Sequence, residues 1–281
     1  MSEGAGNIME LSRQHKARLR RLSVGLLSVW LATGITQGFA GEKEAKGMQS
    51  IQFRKVIDLS HVIAPTIPLW PHDPPVVFNT VATQEKDGYY LRSFSMGEHS
   101  ATHINAPNSF HADGVGIDAY KPESLVRPAV VIDVSSQAQA NPDYVISVQD
   151  IRNWEQKHGR IAKDSVVLLH TGWQNYWNDP KRFFNADDKG GLHFPGLGSD
   201  TAAFLVNERH IAGVGTDTHG ADPGQDTVYA TNSLVLAKNG IILECLTNLD
   251  QLPAKGTTLV IGLLRLKDGS GSPASVMAFA P

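Results

Sequence analysis

The stretch that decides the fold is PAVVIDVSSQAQANPDYVISVQDIRNWEQKHGRIAKDSVVLLHTGW, residues 128–173. Its two ends, PAVVIDVS and SVVLLHTGW, are short apolar runs of the kind that form buried strands. Between them, SVQDIRNWEQKHG has the pattern of a helix, with Ser147 as N-cap and Gly159 as stop signal. This order of strand, helix and strand predicts an α/β domain whose central strands are covered on both faces.

The chain continues the same alternation towards its C-terminus. SDTAAFLVNERH (199–210) predicts a helix capped by Ser199 or Asp200, and the next segments predict a strand, a helix, a strand and a long final strand: IAGVGTD, NSLVLAKNG, IILECL and TTLVIGLLRL. The early apolar runs have no helix between them: VIDLSHVI, VVFNTVAT and YYLRSFSMG. They indicate an antiparallel or barrel-like component. No linker-like break divides residues 51–281, so we predict one domain there.

Composition excludes several classes of protein. The 281 residues are 41% hydrophobic and 19% charged, with a formal net charge of -3. The body has no basic stripe interleaved with aromatic residues, so a nucleic-acid partner is not expected. Cys245 is the only cysteine, which rules out an internal disulfide and a Cys-rich zinc module. Any metal must therefore be held by histidine, carboxylate or amide ligands.

The N-terminus has the order of a secretory signal. Basic HKARLRR (15–21) is followed by apolar LSVGLLSVWLATGI (22–35) and then by the small residues Gly38 and Ala40. The apolar run is shorter than the roughly 18 residues of a membrane span. We predict a signal peptide over 1–40, cut after Ala40, and a linker over 41–50. The alternative is an uncleaved membrane anchor. In both cases we expect the mature domain outside the cytoplasm, in the periplasm if the cell is Gram-negative, and cleavage would leave no stable membrane insertion.

Three histidines are gathered in GEHSATHINAPNSFHADG, residues 97–114. The spacing of His99 and His103 keeps both side chains on one face of a strand, and Asn105 continues that parity. Neutral imidazole is the commonest protein ligand of zinc and similar metals. The cluster is therefore a candidate metal site, and the alternative is a polar loop that happens to be rich in histidine.

The motif HINAP followed by FHADG closely resembles the signature of the cyclase family, which includes bacterial kynurenine formamidases and isatin hydrolases. Further motifs of that family occur in its order over nearly all of residues 56–281: DLSHVI, IPLWPHDPP, VVLLHTGW, FPGLGSDTAAFL, GVGTDTHGADPG and ILECLTNLDQLP. The resemblance implies a single α/β domain with a central mixed, barrel-like sheet flanked by helices. It also implies a homodimer or higher oligomer.

Three positions depart from the family pattern. Asn105 stands where the family has a metal-binding aspartate, Ser109 where it has a catalytic histidine, and Asn232 where it has a later histidine ligand, whereas Glu244 matches the family's glutamate. Two dications repel strongly unless an anion lies between them, and an amide is neutral. We therefore predict one divalent metal, zinc or manganese, held by His99, His103 and the amide oxygen of Asn105, joined by Glu244.

Other residues are candidates for catalysis or substrate binding. His111 could act as general acid or base, or as a third imidazole ligand, in place of the histidine missing at Ser109; the alternative is a surface loop histidine. Ser109 and Glu244 are the other candidate catalytic residues. The resemblance places Trp70 and His61 near the pocket, where the indole ring could stack on a planar substrate. His219 follows the apolar strand IAGVGTD, and strand ends often carry ligand contacts in α/β folds; the alternative is a turn that satisfies loop amides. All three are candidate substrate contacts.

These features predict a metal-dependent hydrolase that opens an amide, formamide, lactam or related cyclic carbonyl compound with a metal-activated water. Its partner would be a small-molecule substrate. The alternative is a catalytically degenerate relative that binds a small molecule or a metal in the cell envelope without turnover. Turnover that a chelator abolishes would distinguish the enzyme from the binding protein.

Overall fold

The computed structural model describes residues 50–281, so the predicted signal peptide and all but the last residue of the predicted linker lie outside the described residues. Strands and helices alternate along most of this chain. The strands are β1 Lys55–Asp58, β2 Val77–Ala82, β3 Leu91–Ser95, β4 His103–Asn105, β5 Val126–Asp133, β6 Val145–Ile146, β7 Val166–His170, β8 Gly196–Leu197, β9 Gly213–Thr216, β10 Ile241–Glu244, β11 Lys255–Leu263 and β12 Gly271–Ala280. The helices are α1 Gln84–Asp87, α2 Ser135–Ala140, α3 Val148–His158, α4 Pro180–Phe184, α5 Ser199–Phe204 and α6 Ala230–Leu236.

Eight strands form one mixed sheet, and seven of them close on themselves. The order around the ring is β12-β11-β5-β7-β9-β10-β4, and β4 closes it by pairing with both β10 and the first residues of β12. Strands β5, β7, β9 and β10 are parallel, whereas β4, β11 and β12 run antiparallel to their neighbours. The predicted barrel-like mixed sheet is confirmed.

The two faces of the sheet bury different cores, because successive side chains of a strand point in opposite directions. On β7, Val166 and Leu168 pack into the core inside the ring, together with Ile104 and Leu243. Their neighbours Val167 and Leu169 pack outwards against the helices. The central side chains of β5, β7 and β10 are therefore apolar on both faces, as expected for strands covered on both sides.

Helix α3 begins at the predicted cap. The Ser147 hydroxyl accepts a hydrogen bond from the backbone N–H of Asp150 at 3.3 Å, and the Asp150 carboxylate accepts one from the Ser147 N–H at 2.8 Å. This reciprocal pair satisfies two N–H groups that the first turn of a helix leaves without partners. Ile151 and Trp154 then fall on the buried face of the helix.

Replacing Ser147 with alanine is expected to lower the free energy of unfolding by about 1 kcal/mol, because one helix N–H loses its partner. For a domain of this size, the melting temperature falls by about 2–4 °C. Ser199→Ala is the matched control, since the structure records no cap hydrogen bond from a side chain at the start of α5. An equal loss in both variants, measured by thermal unfolding, would contradict the capping argument.

Two predicted elements differ from the structure. The N-cap of α5 is Gly198, not Ser199 or Asp200, and the helix passes into a π turn over Leu205–Arg209. The segment predicted as the final strand is followed by β12, whose Gly- and Ser-rich start resembles a turn although it pairs with β4. Strands β2 and β3 pair antiparallel, as the early apolar runs predict, but they form a hairpin separate from the eight-stranded sheet, and all side chains of β3 are exposed. Among residues 50–281, no helix is long and apolar enough to span a membrane.

Candidate active site

The register of β4 brings the predicted site residues together. In the pairing with β10, His103 lies opposite Glu244 and Asn105 lies opposite Ile242. On the other edge of β4, Asn105 lies opposite Gly271 of β12. The short strand β4 therefore places two candidate ligands, His103 and Asn105, where it closes the sheet between β10 and β12.

His99 reaches the same point from the turn before β4. Its ring centroid lies 5.2 Å from that of His103, although Ala101 interrupts the strand parity with a φ of 57°. The ring fits because Gly271 has no side chain; a Cβ there would lie 2.7 Å from Cε1 of His99. The two imidazoles predicted to share an ion do lie side by side.

One ring nitrogen of His103 is bound to the backbone, and the other faces a carboxylate. Its Nδ1 lies 2.8 Å from the backbone oxygen of Ala101, so Nδ1 carries a proton and donates it. Its Nε2 lies 3.1 Å from Oε2 of Glu244 without a well-aligned hydrogen bond. In a neutral imidazole that Nε2 has only a lone pair, so two acceptors oppose each other. A proton or a metal cation between them removes the conflict.

A chain of amides leads from two carboxylates to His99. The side-chain amide of Asn232 donates to Oδ2 of Asp222 at 2.8 Å and to Oε1 of Glu244 at 3.3 Å. Its oxygen must then face Asn105, whose amide nitrogen donates to it at 3.0 Å. The Asn105 oxygen is left 2.9 Å from Nδ1 of His99.

The other side of His99 ends at a third carboxylate. Its Nε2 lies 2.9 Å from Oγ of Ser270, and that hydroxyl donates to Oε2 of Glu98 at 2.8 Å. A hydrogen bond to a carboxylate is stronger than one to a neutral ring, so the serine proton goes to Glu98 and Nε2 of His99 is the donor. In that tautomer Nδ1 has only a lone pair towards the Asn105 oxygen; in the other tautomer, with the Glu98 oxygen satisfied by the Ser270 N–H at 2.7 Å, Nδ1 donates to Asn105.

The cluster has donor atoms of the types that bind a divalent cation: two imidazole nitrogens, a carboxylate oxygen and an amide oxygen. Nε2 of His103 is buried without a hydrogen-bond partner and faces Oε2 of Glu244, a contact that a positive charge would stabilise. Within residues 50–281, no three His, Cys, Asp or Glu side chains are grouped as a metal site, so His99, His103 and Glu244 alone do not form a ready-made set of ligands.

A cavity of about 490 Å³ opens onto this cluster. One wall is aromatic: the ring centroid of Trp70 lies 5.2 Å from that of His219 and 6.4 Å from that of Phe194. His219 also lies 5.6 Å from His103, ring centroid to ring centroid. The cavity has the size and lining expected for a small planar molecule.

Residues 57–223 match the family model Cyclase, described as Putative cyclase. This match covers more than half of the chain. The chain belongs to the cyclase family. The isatin hydrolase of Roseibium aggregatum is 31% identical to it over an alignment of 245 residues that covers 81% of this chain and 92% of that enzyme. The kynurenine formamidase of Bacillus mycoides is 29% identical over 219 residues, which are 77% of this chain and 93% of that one.

Solved structures of the same family share this fold. Isatin hydrolase A from Labrenzia aggregata, bound to benzyl benzoate, superposes with a TM-score of 0.76 at 34% identity, over 80% of this chain and 93% of that one. Isatin hydrolase A from Ralstonia solanacearum gives a TM-score of 0.76 at 33% identity, over 81% and 92%. The family resemblance of the sequence is thus confirmed.

Burial sets the charge states of this cyclase-family site. Burial, and then the charge of nearby His103, lower the pKa of His99, and burial lowers the pKa of His219 to about 4. Burial alone would raise the pKa of Glu244. A proton on Nε2 of His103 would give that ring a positive charge and a hydrogen bond to Glu244; these, helped by the Ala221 N–H, outweigh burial and lower that pKa to about 2. Glu244 therefore remains a carboxylate.

The predicted site residues separate into two groups. Trp70, Ser109 and His219 line the cavity with the four candidate ligands, although the Ser109 hydroxyl donates to the backbone oxygen of Ala106. His61 and His111 do not line it. His61 stacks on Trp177 with a centroid distance of 3.9 Å.

The placement of His111 does not support a catalytic role. Its Nε2 lies 2.9 Å from the backbone oxygen of Ser233 and donates to it. This hydrogen bond holds the ring against helix α6. The turn after β4 thus places His111 outside the cavity lining. The sequence does not reveal Glu98, Ser270 and Asp222. They position His99 and Asn232 by hydrogen bonds, and no sequence motif or spacing marks them.

Proposed function

We propose that this protein is a hydrolase that opens the C–N bond of an amide, formamide, lactam or related cyclic carbonyl compound. The observation that carries the proposal is the meeting of His99, His103, Asn105 and Glu244 beside an aromatic-walled cavity, with Nε2 of His103 buried, without a hydrogen bond and 3.1 Å from Oε2 of Glu244. A cation held there would lie where a substrate carbonyl could reach it. The family relatives, isatin hydrolase and kynurenine formamidase, support the class of reaction.

His99, His103, Asn105 and Glu244 would hold a single zinc or manganese ion. Such an ion, when bound, polarises a carbonyl group and makes a water molecule more acidic. With no charged aspartate at Asn105, the side chains leave more of the ion's charge uncompensated. Asn232, which already donates to two carboxylates, takes the space in which a second ion would need a ligand.

Glu244 and His219 have different roles towards the substrate. A carboxylate with a pKa near 2 is a weak base, so Glu244 serves as a ligand and anchor rather than as the proton carrier. Nε2 of His219 is buried, has no partner among the described residues and belongs to a ring that lines the cavity. The ring is neutral because burial lowers its pKa to about 4, and we assign to this nitrogen the hydrogen bond that orients the reacting amide.

Ser270→Ala is expected to weaken metal binding by about 10- to 100-fold, because it removes the hydroxyl that fixes the tautomer of His99. Ser275→Ala, in strand β12 that follows Ser270, is the matched control, since the exposed Ser275 side chain makes no hydrogen bond within residues 50–281. Calorimetric titration of each metal-free protein with zinc and manganese measures the difference. Equal affinities in the two variants would remove Ser270 from the site.

The alternative, a binding protein without turnover, is favoured by one observation. Asn105, Ser109 and Asn232 replace ionisable groups of the family, and the Ser109 hydroxyl is turned to the backbone. Assays of formyl-amides, lactams and isatin with added zinc or manganese test both functions. Turnover that a chelator abolishes supports the hydrolase, whereas saturable binding without product supports the binding protein. Dialysed protein that retains two metal ions per chain would contradict the single-ion site.

Two further predictions stay proposals. We propose that the domain is exported to the cell envelope and is periplasmic in a Gram-negative cell, which fractionation of expressing cells tests. We also propose a homo-oligomer, since the hairpin of β2 and β3 exposes the large apolar residues Val81, Tyr90 and Phe94 at 59%, 61% and 57%. Light scattering on the purified protein measures its mass, and a monomer at micromolar concentration would contradict it.

A further inference from the structure

A loop between α4 and β8 forms part of the cavity wall. In this wall loop, residues 185–194, the Asp187 carboxylate accepts a hydrogen bond from the N–H of Gly191 at 2.8 Å, which closes the turn. Gly191, Leu192 and Phe194 line the cavity. The shape of the cavity on this side therefore depends on where the wall loop is held.

His193 lies between two of these lining residues but does not line the cavity itself. Its ring lies between two carboxylates instead. Nδ1 is 2.9 Å from both oxygens of Asp143, and Nε2 is 3.6 Å from Oδ2 of Asp187. A neutral imidazole has a single N–H and can face only one of them favourably, whereas the imidazolium ion has an N–H for each. The geometry therefore fits a charged ring.

The contact with Asp143 ties the wall loop to a separate segment of the chain. Asp143 precedes β6 and His193 precedes β8, and these two strands pair through only two residues each. The ion pair is thus a further link beside a short ladder. Within residues 50–281, the Asp143 carboxylate makes no other hydrogen bond or ion pair, so its interaction with the ring can be removed by itself.

Negative charge predominates around the His193 ring. The segment before β6 presents Asp143, and the wall loop presents Asp187. The segment before α6 presents Gln225, whose neutral amide nitrogen lies 3.4 Å from Nδ1. In the part of the chain that the structure describes, no lysine or arginine makes a hydrogen bond or an ion pair with the two carboxylates that face the ring.

These neighbours keep the ring charged to a higher pH than that of an ordinary histidine. The hydrogen bond to Asp143, followed by the charges of Asp143 and Asp187, raises the pKa of His193 against the effect of desolvation. Because the pKa in the folded protein exceeds that in the unfolded chain, the contact is complete below about pH 6.5. It is lost as the pH rises through the raised value.

We propose that His193 is a positioning residue for the cavity wall, whose charged ring, held between Asp143 and Asp187, keeps the wall loop beside the cavity. Loss of the ring proton leaves one carboxylate without a donor and loosens the loop. The consequence for catalysis rests on the proposed hydrolase function. Leu192 and Phe194 then position the substrate less firmly, so KM rises, whereas kcat changes little because the wall loop lies outside the cluster of candidate ligands.

Asp143→Asn tests the contact, since it keeps the shape of the side chain and removes its charge. In the zinc-loaded full-length protein, a proton NMR titration should show a lower pKa for His193 than in the parent. Protection of the 186–194 amides against hydrogen exchange at pH 6 should fall by about two- to fivefold, the effect of one exposed ion pair. The parent should lose the same protection between pH 6 and pH 9.

Two further variants complete the comparison. His193→Gln should show the reduced protection at both pH values, because its side chain has no charge to lose. Asp188→Asn is the matched control, since it removes one exposed charge from the wall loop and Asp188 makes no hydrogen bond or ion pair within residues 50–281. Its protection, and the change of that protection with pH, should equal those of the parent.

Steady-state kinetics with isatin add an enzymatic measurement. At pH 6, Asp143→Asn should raise KM by about two- to fivefold and change kcat by less than about twofold. Equal protection in the parent and Asp143→Asn, or no loss in the parent between pH 6 and pH 9, overturns the positioning role whether or not isatin is hydrolysed. Lower protection with an unchanged KM also overturns it. Reduced protection in a protein that turns over no isatin, formyl-amide or lactam leaves the loop contact standing and overturns the hydrolase function.

Discussion

His103→Ala is expected to lower kcat/KM by at least about a thousandfold and to reduce the bound metal to less than one tenth of an ion per chain after dialysis. The variant removes one of two imidazoles and leaves Oε2 of Glu244 facing empty space at a buried position. A metal ion that polarises a carbonyl supplies several kcal/mol of transition-state stabilisation, and each 1.4 kcal/mol is a factor of ten in rate. Metal analysis by mass spectrometry and steady-state kinetics measure the two effects.

His111→Ala is the control for this variant. The ring of His111 donates to the Ser233 backbone and does not line the cavity, so kcat/KM should change by less than about threefold. A large loss in His111→Ala would instead restore the acid–base role predicted from its place two residues after Ser109. Unchanged metal content in His103→Ala would contradict the site itself.

The sequence predicts the parts of the fold that depend on local pattern. The apolar runs around Val166 and Ile241 and the capped helix that starts at Val148 lie where periodicity and capping place them. The sequence is a poor guide to segments whose secondary structure depends on contacts with distant parts of the chain. Pro273 and the glycines before it resemble a turn, yet β12 is a strand because its start pairs with β4 and completes the ring. Such pairing joins residues about 170 positions apart, beyond the reach of any local signal.

The candidate site shows the same division. His99, His103, Asn105 and Glu244 stand out as chemical types in a family pattern, and the structure brings them together. The groups that orient them, Ser270 behind His99 and Asp222 behind Asn232, are common polar residues with no spacing that marks them. Their roles follow only from hydrogen-bond geometry. His111 shows the opposite error: a histidine close to the motif is chemically suited to acid–base catalysis, but the structure places it outside the cavity.

Gly213→Ala is expected to destabilise the domain by about 3 kcal/mol and to lower its melting temperature by about 6–12 °C. Gly213 begins β9 and pairs with Val166 of β7 on one side and Ile241 of β10 on the other. A Cβ there would overlap the backbone oxygen of Ile241 and lie 2.6 Å from its Cβ. Backbone atoms in the middle of a closed sheet cannot move aside without breaking the pairing on both edges.

The matched control is Gly262→Ala in β11, where the nearest atom to a new Cβ is the Ser275 backbone oxygen at 3.4 Å, an ordinary contact. That variant should lie within about 0.5 kcal/mol of the parent, because alanine also restricts the unfolded chain. Thermal or denaturant unfolding compares the two. Equal stabilities would mean that the β9–β10 pairing yields easily. The ring would then not be rigid enough to hold His103 against Glu244, two residues that meet through the neighbouring β10–β4 pairing.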